Sequence, residues 1–284
     1  MIYLIVPQPL LKVAEARVGA LGLDCRLLSY PDLARDAPFE SGTYLFTSAS
    51  ALSPSQRALA IVAEEALLAA GPGFRVLNRP SQVSDRASMM ASVGAEGLQV
   101  VERCAAAQMP GGAKYPLVLR WESAHGVAES PVLFDEAELR EAVGTMVLGG
   151  FPLEDLHALH YLELNALLER SPASWALRIG DDSVLSDSLE SAELRQSANA
   201  FLNASAFSQV EFMRLSFLPA GGRLVLWRID DSPAALPEPS GEAKGWAQTR
   251  DQVRAAFGSL AIAPSGGVAT VHYTRENVEA ALGK

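Results

Sequence analysis

Residues 210–233 read VEFMRLSFLPAGGRLVLWRIDDSP, and the alternation within them decides the fold. In the first arm Met213, Leu215 and Phe217 recur at every second position, as in a strand with one buried face. In the second arm, Leu224 to Ile229, the same rule puts Val225, Trp227 and Ile229 on one face. These two sets are expected to pack together as core. Their phases match only if the connection holds an odd number of residues, so a five-residue loop over 219–223 or a bulged three-residue one is expected. The reverse face then carries Arg214, Ser216, Arg228 and Asp230. A polar set gathered on one face of an otherwise apolar hairpin is the most informative feature of the chain.

Upstream, the apolar run IYLIV (2–6) reads as a buried parallel strand. A helix with Leu11, Ala14, Val18 and Leu21 on one face follows, and Gly22 sits where a terminating glycine belongs. CRLLS (25–29), TYLFT (43–47) and FRVLN (74–78) read as further strands. Between the last two, Ser53, Pro54 and Gln56 form the start of a helix: N-cap, first position and the reciprocal residue of a capping box. Alternating strand and helix implies a small parallel-sheet domain over about 1–80. Beyond it we expect a helix at 85–93, strands at 99–103, 116–121, 157–164 and 175–179, and helices at 133–149 and around 194–202. A small polar loop, 122–130, holds His125 and Gly126. After Asp231 a stretch rich in Pro, Ser and Gly reads as a linker. A helix near 249–258, a strand near 268–273 and a Thr274-capped helix follow it.

Bulk properties limit the function. The 284 residues carry 23 basic and 33 acidic side chains, a net charge of −10. That balance lacks the electrostatic footprint of a nucleic-acid binder. Cys25 and Cys104 are the only two cysteines, too few for a disulfide scaffold or a four-thiolate zinc site. No basic leader and no long apolar run is present, so neither a signal peptide nor a membrane span is expected. A cytoplasmic protein is the expectation; oligomeric state is left open. His157 and His160 are three apart in a segment that reads as strand rather than helix, which does not suit a metal.

Five strings, in order, resemble the ATP-grasp superfamily: TYLFTSASALSPSQRALA with RVLNRP, PLVLRWESAHG, HYLEL, SWALRIGDD and LVLWRIDDSP, spanning about 43–233. The resemblance implies an α/β then α+β fold: a pre-ATP-grasp domain (1–80), a first lobe (81–150), a second lobe (151–239) and a C-terminal extension (240–284). It implies ATP and Mg²⁺ between the lobes, with carboxylates on a strand pair clamping the ions while a carboxylate substrate attacks the γ-phosphoryl group. Mapped onto this chain, Arg120 is the first-lobe phosphate-binding residue. His125 and Gly126 lie over the phosphates, Glu163 is near the adenine hinge, and Arg178 is the basic residue of a later strand. Arg120, Arg178 and Arg228 are the candidate catalytic residues, and Asp230 is the candidate metal ligand.

The hairpin departs from that pattern. Ser216 stands where the family has Asp, Arg228 where it has Glu, and Asp230 where it has Asn. A guanidinium about 4 Å from a divalent ion opposes it by about 8 kcal/mol at an effective dielectric near 20. A two-ion site is therefore incompatible with Arg228 facing inward. Either Arg228 binds an anion directly, or the lobe no longer handles nucleotide, or Arg228 is a solvated surface residue paired with Asp230 or Glu211. Two functions remain open. One is a degenerate ATP-grasp binding or scaffold protein that takes a small molecule or peptide and works beside a partner enzyme in a biosynthetic pathway. The other is an ATP-dependent carboxylate–amine ligase with an atypical metal site. The substitutions favour the first.

Overall fold

The computed structural model describes the chain except residues 35–37, 101–102, 107–108, 110–112, 124–125, 152, 154–155, 161–173, 221–222, 239–244, 264–265 and 284. The leading apolar run is β1 (Ile2–Val6), buried along its whole length because both faces are covered. Helix α1 (Leu11–Leu21) ends at Gly22, whose left-handed backbone (φ 63°) is one that a residue with a Cβ adopts only under strain. β2 (Arg26–Ser29), α2 (Tyr30–Leu33), β3 (Phe39–Glu40) and β4 (Gly42–Phe46) follow. Helix α3 (Pro54–Ala69) starts as read from the sequence: the Ser53 amide donates to the Gln56 side chain at 3.1 Å, and the Gln56 amide donates to Ser53 Oγ at 3.3 Å. With β5 (Phe74–Leu77) the sheet is complete, order β2-β1-β4-β5 and parallel throughout.

The next unit opens with α4 (Arg86–Ala95), capped by Asp85 on the Ser88 amide at 2.8 Å. β6 (Arg103–Ala105), β7 (Leu117–Ser123), β8 (Gly126–Glu129) and β9 (Leu156–His160) form an antiparallel sheet of order β6-β9-β7-β8. Helix α5 (Glu136–Leu148) brings Leu139 and Met146 into the core that Leu117, Leu119 and Leu156 share. Three expectations change here. The polar loop at 122–130 is mostly hairpin, because β8 folds back on β7 with Gly126 opposite Ser123. Of the strand expected at 99–103, Arg103 opens the described β6, and positions 101–102 lie outside the described residues. Gln99 and Val100 reach the hairpin instead, where the Leu226 amide donates to Gln99 O at 2.9 Å. And β9, beyond the boundary expected at 150, pairs with β6 and β7 in one sheet that runs to His160.

A second antiparallel sheet, order β11-β10-β12-β13, is built from β10 (Ser174–Ile179), β11 (Asp182–Leu185), β12 (Phe212–Ala220) and β13 (Arg223–Asp230). Helix α6 (Ala192–Leu202) shares a core with one face of it, Phe201 meeting Phe217 with ring centroids 5.1 Å apart. The hairpin forms over the expected residues but solves its parity differently. Pairing runs to Ala220 opposite Arg223, with only positions 221–222 between the arms, and the register shifts once: Ser216 faces Arg228 and Phe217 faces Leu226. Trp227 is the extra residue of a bulge. One inserted residue inverts the alternation. Leu224 and Leu226, not Val225 and Trp227, therefore join Met213, Leu215, Phe217 and Ile229 in the core. Trp227 turns to the other face and packs with Leu218 against Val118 and Leu159 of the first lobe.

Two cores run through the parallel sheet and the hairpin sheet together. One holds Tyr3, Ile5, Tyr44 and Phe46 with Met213 and Leu215; the other holds Leu4, Val6 and Leu45 with Leu177, Ile179 and Phe212. Asn78 stitches the sheets: its side chain donates to Phe212 O (2.8 Å) and accepts from the amides of Glu211 and Phe212 (2.8 and 2.9 Å). The segment expected as an extension returns to the leading domain. Helix α7 (Trp246–Ser259) enters the second core, β14 (Val268–Ala269) pairs with β3, and α8 (Arg275–Leu282) packs on α3. Among the described residues no helix is long and apolar enough to cross a membrane.

Candidate functional site

The polar face of the hairpin sheet is the site. Arg214 lies opposite Asp230, and Ser216 opposite Arg228, so register alone gathers all four on one face. That face is not a solvated surface. Ser216 is buried, and Asp230 and Asp231 are fully so. Two buried aspartates in succession demand cations and donors, and distant elements supply them. Arg228 Nη2 donates to Asp230 Oδ2 at 3.0 Å, and the Ser232 amide donates to Oδ1 at 2.9 Å. Arg86, the first residue of α4 and only 11% exposed, places Nη2 3.0 Å from Asp231 and 3.7 Å from Asp230. A cation at a helix N-terminus opposes the helix dipole; these two carboxylates are what hold it there.

Asp231 points to the leading domain. Ser50 donates to it through its amide (2.9 Å) and its hydroxyl (2.6 Å), and the Ser48 amide donates to the Asp231 carbonyl (2.8 Å). Ser48 itself has φ 59°, an uncommon conformation for a residue with a side chain, at the turn that makes these bonds. Arg17, on α1, reaches the same region: it pairs with Glu238, and α1 packs on the turn 233–235 that follows Asp231. Burial lowers the Arg17 and Arg214 pKa values, and repulsion adds to this, Arg17 from Arg214 and Arg214 from Arg228. Burial alone would raise Asp230, but Arg86, Arg228 and the Ser232 bonds outweigh it and hold the group below the usual aspartate range.

Of the sequence-derived candidates, the structure brings Arg228 and Asp230 together and puts Arg120 nearby. The Arg120 guanidinium, on β7, lies 5.4 Å from the centre of the Trp227 ring, a cation–π contact between the two antiparallel sheets. Arg178 belongs elsewhere. It pairs in register with Met213, hence on the opposite face of the sheet from Arg214 and Asp230. There it donates to the carbonyls of Phe207 and Val210 at 2.9 and 3.3 Å, which makes it an anchor of that loop. Gly126 sits in β8 rather than in a loop. His125 and Glu163 lie outside the described residues. Arg17 and Arg86 were not found from the sequence, because their membership depends on contacts between elements far apart in the chain. Arg214 was visible in the strand alternation but stood apart from the positions that match the family's metal ligands.

Magnesium does not fit these residues. Asp230 is already ion-paired with the guanidinium groups of Arg86 and Arg228, and among the described residues no group of three His, Cys, Asp or Glu side chains could hold a metal. What the arrangement can do is bind an anion, through donors that are fixed and already partly dehydrated.

The sequence matches no protein-family model and no curated protein. Solved structures do match. D-alanine–D-alanine ligase from Bacillus anthracis superposes with a TM-score of 0.52 at 12% identity, over 91% of this chain and 95% of that one. The Helicobacter pylori D-alanine–D-alanine ligase gives 0.55 at 10% identity, over 90% and 98%. N5-carboxyaminoimidazole ribonucleotide synthetase from Thermus thermophilus gives 0.51 at 13% identity, over 94% and 81%. Element order, the two antiparallel sheets behind a parallel one and these superpositions agree: the chain has the ATP-grasp fold.

Proposed function

We propose that this chain is a metal-independent binding protein built on the ATP-grasp fold, a partner to an enzyme in a biosynthetic pathway rather than the catalyst itself. The observation that carries this reading is the state of Asp230. It is the one acid at the three metal positions, and Arg86 and Arg228 already neutralise it. The other two positions are Ser216 and Arg228. Phosphoryl transfer in this fold needs ions bridging the phosphates, and these residues repel an ion instead of holding it.

The test is calorimetric titration of the full chain with ATP, once with Mg²⁺ and once with EDTA. Equal binding in both buffers, or none in either, supports the reading. Magnesium-dependent micromolar binding with release of ADP overturns it. The double variant Ser216→Asp, Arg228→Glu should gain magnesium-dependent nucleotide affinity. A second reading, an ATP-dependent carboxylate–amine ligase with an atypical metal site, draws support from the similar structures being ligases and a synthetase. The same titration decides between the two.

A further inference from the structure

We propose that Arg17, Arg214 and Arg228 form a direct binding site for a phosphate-type dianion, such as a phosphomonoester or terminal phosphate, which needs no metal. The inference rests on the binding-protein reading above and names the ligand class of that site. Three observations carry it. First, the charges of the described residues do not close. Arg214 and Arg228 on the face, Arg86 at the start of α4 and Arg17 on α1 bring four positive charges, while the buried Asp230 and Asp231 and the exposed Glu238 bring three negative ones. One positive charge is left over, and two once an incoming anion displaces Glu238, the complement of a dianion. Second, the surplus sits on donors without acceptors. Arg17 Nη1, Arg214 Nε and Arg228 Nε are buried N–H groups with no hydrogen-bond partner among the described residues. A buried donor left unmatched costs about 1–3 kcal/mol, more when charged, so three of them, two on the sheet face and one on α1, point to an acceptor from outside these residues. Third, the remaining carboxylate is at the rim. Glu238 pairs with Arg17 while its side chain stays 69% exposed. An exposed ion pair is weak, and an incoming phosphate can displace it.

Arginine suits this role, since a guanidinium presents paired N–H groups to phosphate oxygens. Arg214 also holds down the pKa of Arg17, repulsion that an anion between them relieves. Arg86 is excluded from the contact set because its guanidinium is committed to Asp230 and Asp231.

The experiment is calorimetry on the full chain in EDTA, with inorganic phosphate and pyrophosphate as probes and malonate as a carboxylate control. Phosphate or pyrophosphate should bind. Arg17→Gln and Arg228→Gln should each weaken binding about tenfold or more, the worth of one charge-assisted hydrogen bond. Glu238→Gln should tighten it, a gain that misfolding does not produce; circular dichroism checks the folding of each variant. No phosphate or pyrophosphate binding in EDTA, while ATP titrates alike with and without Mg²⁺, overturns this site and leaves the binding-protein reading intact. Anion binding that appears only with Mg²⁺ overturns both. Binding in EDTA that both arginine variants leave unchanged overturns the residue assignment alone. Malonate binding as tightly as pyrophosphate overturns the ligand class.

Discussion

Replacing Arg86 by methionine removes one guanidinium and keeps the side chain long and apolar. Arg86 sits 3.0 Å from Asp231, 3.7 Å from Asp230 and 3.1 Å from Ser50 Oγ. At an effective dielectric near 20 the two carboxylate attractions are about 5.5 and 4.5 kcal/mol. Dehydrating the charged groups takes back much of that, so the net loss should be about 3–4 kcal/mol, as for one partner of a buried pair. In a chain of this size that lowers the melting temperature by about 10 °C. Asp230 supplies the pH signature. Its folded pKa is held below the ordinary 3.8, so its contribution is present above that value and is lost as pH falls through the depressed one. Taking Arg86 away lets the folded pKa rise. The gap between wild type and variant is then widest at neutral pH and narrows below 3.8. Guanidinium chloride unfolding, followed by tryptophan fluorescence at neutral and acid pH, measures both effects. A loss under about 1 kcal/mol, the value of a surface pair, or a gap that stays constant into acid, refutes the reasoning.

Asn78→Ala should cost about 3 kcal/mol in denaturant unfolding, because it orphans two amides and a carbonyl where the sheets meet and leaves alanine at φ 49°. Gly180→Ala should destabilise by about 1–2 kcal/mol in thermal melts, since φ is +61° and the new Cβ would stand 2.8 Å from Leu260 Cδ2; an unchanged melting temperature contradicts this. Burial and the nearby Asp24 push the Cys25 thiol up to about 11. At neutral pH its thiolate is scarce, so the Cys25 peptide should alkylate with iodoacetamide more slowly in the native chain than in urea.

The leading domain was legible in the sequence because its signals are local: an unbroken apolar strand, a Ser-Pro-x-Gln helix start, a glycine at a helix end. The polar face of the hairpin was legible for the same reason, since period-two alternation is short-range. What sequence reasoning missed depends on register and on distant pairing. Val225 and Trp227 were assigned to the core because nothing in LVLWRI marks the bulge that inverts their phase. Arg178 was drawn into the site by a string resemblance, while register puts it on the other face. Arg86 falls within the helix expected at 85–93 with nothing local to mark it; only the fold brings it to Asp230 and Asp231, far along the chain.

The extra residue at Trp227 sets the two ends of the ribbon in opposite phase. Outboard of it, towards the tip, insertions can accumulate as the loop lengthens or shortens. Inboard, Ser216, Arg228 and Asp230 share one face, and beyond the bulge the phase of the second arm is inverted. Deleting that residue would remove the inversion: the arms would re-pair without a kink, and either the aliphatic pair Leu224 and Leu226 or the charged pair Arg228 and Asp230 would exchange interior for exterior. The phase of the ionic face thus hangs on one unpaired position in the ribbon.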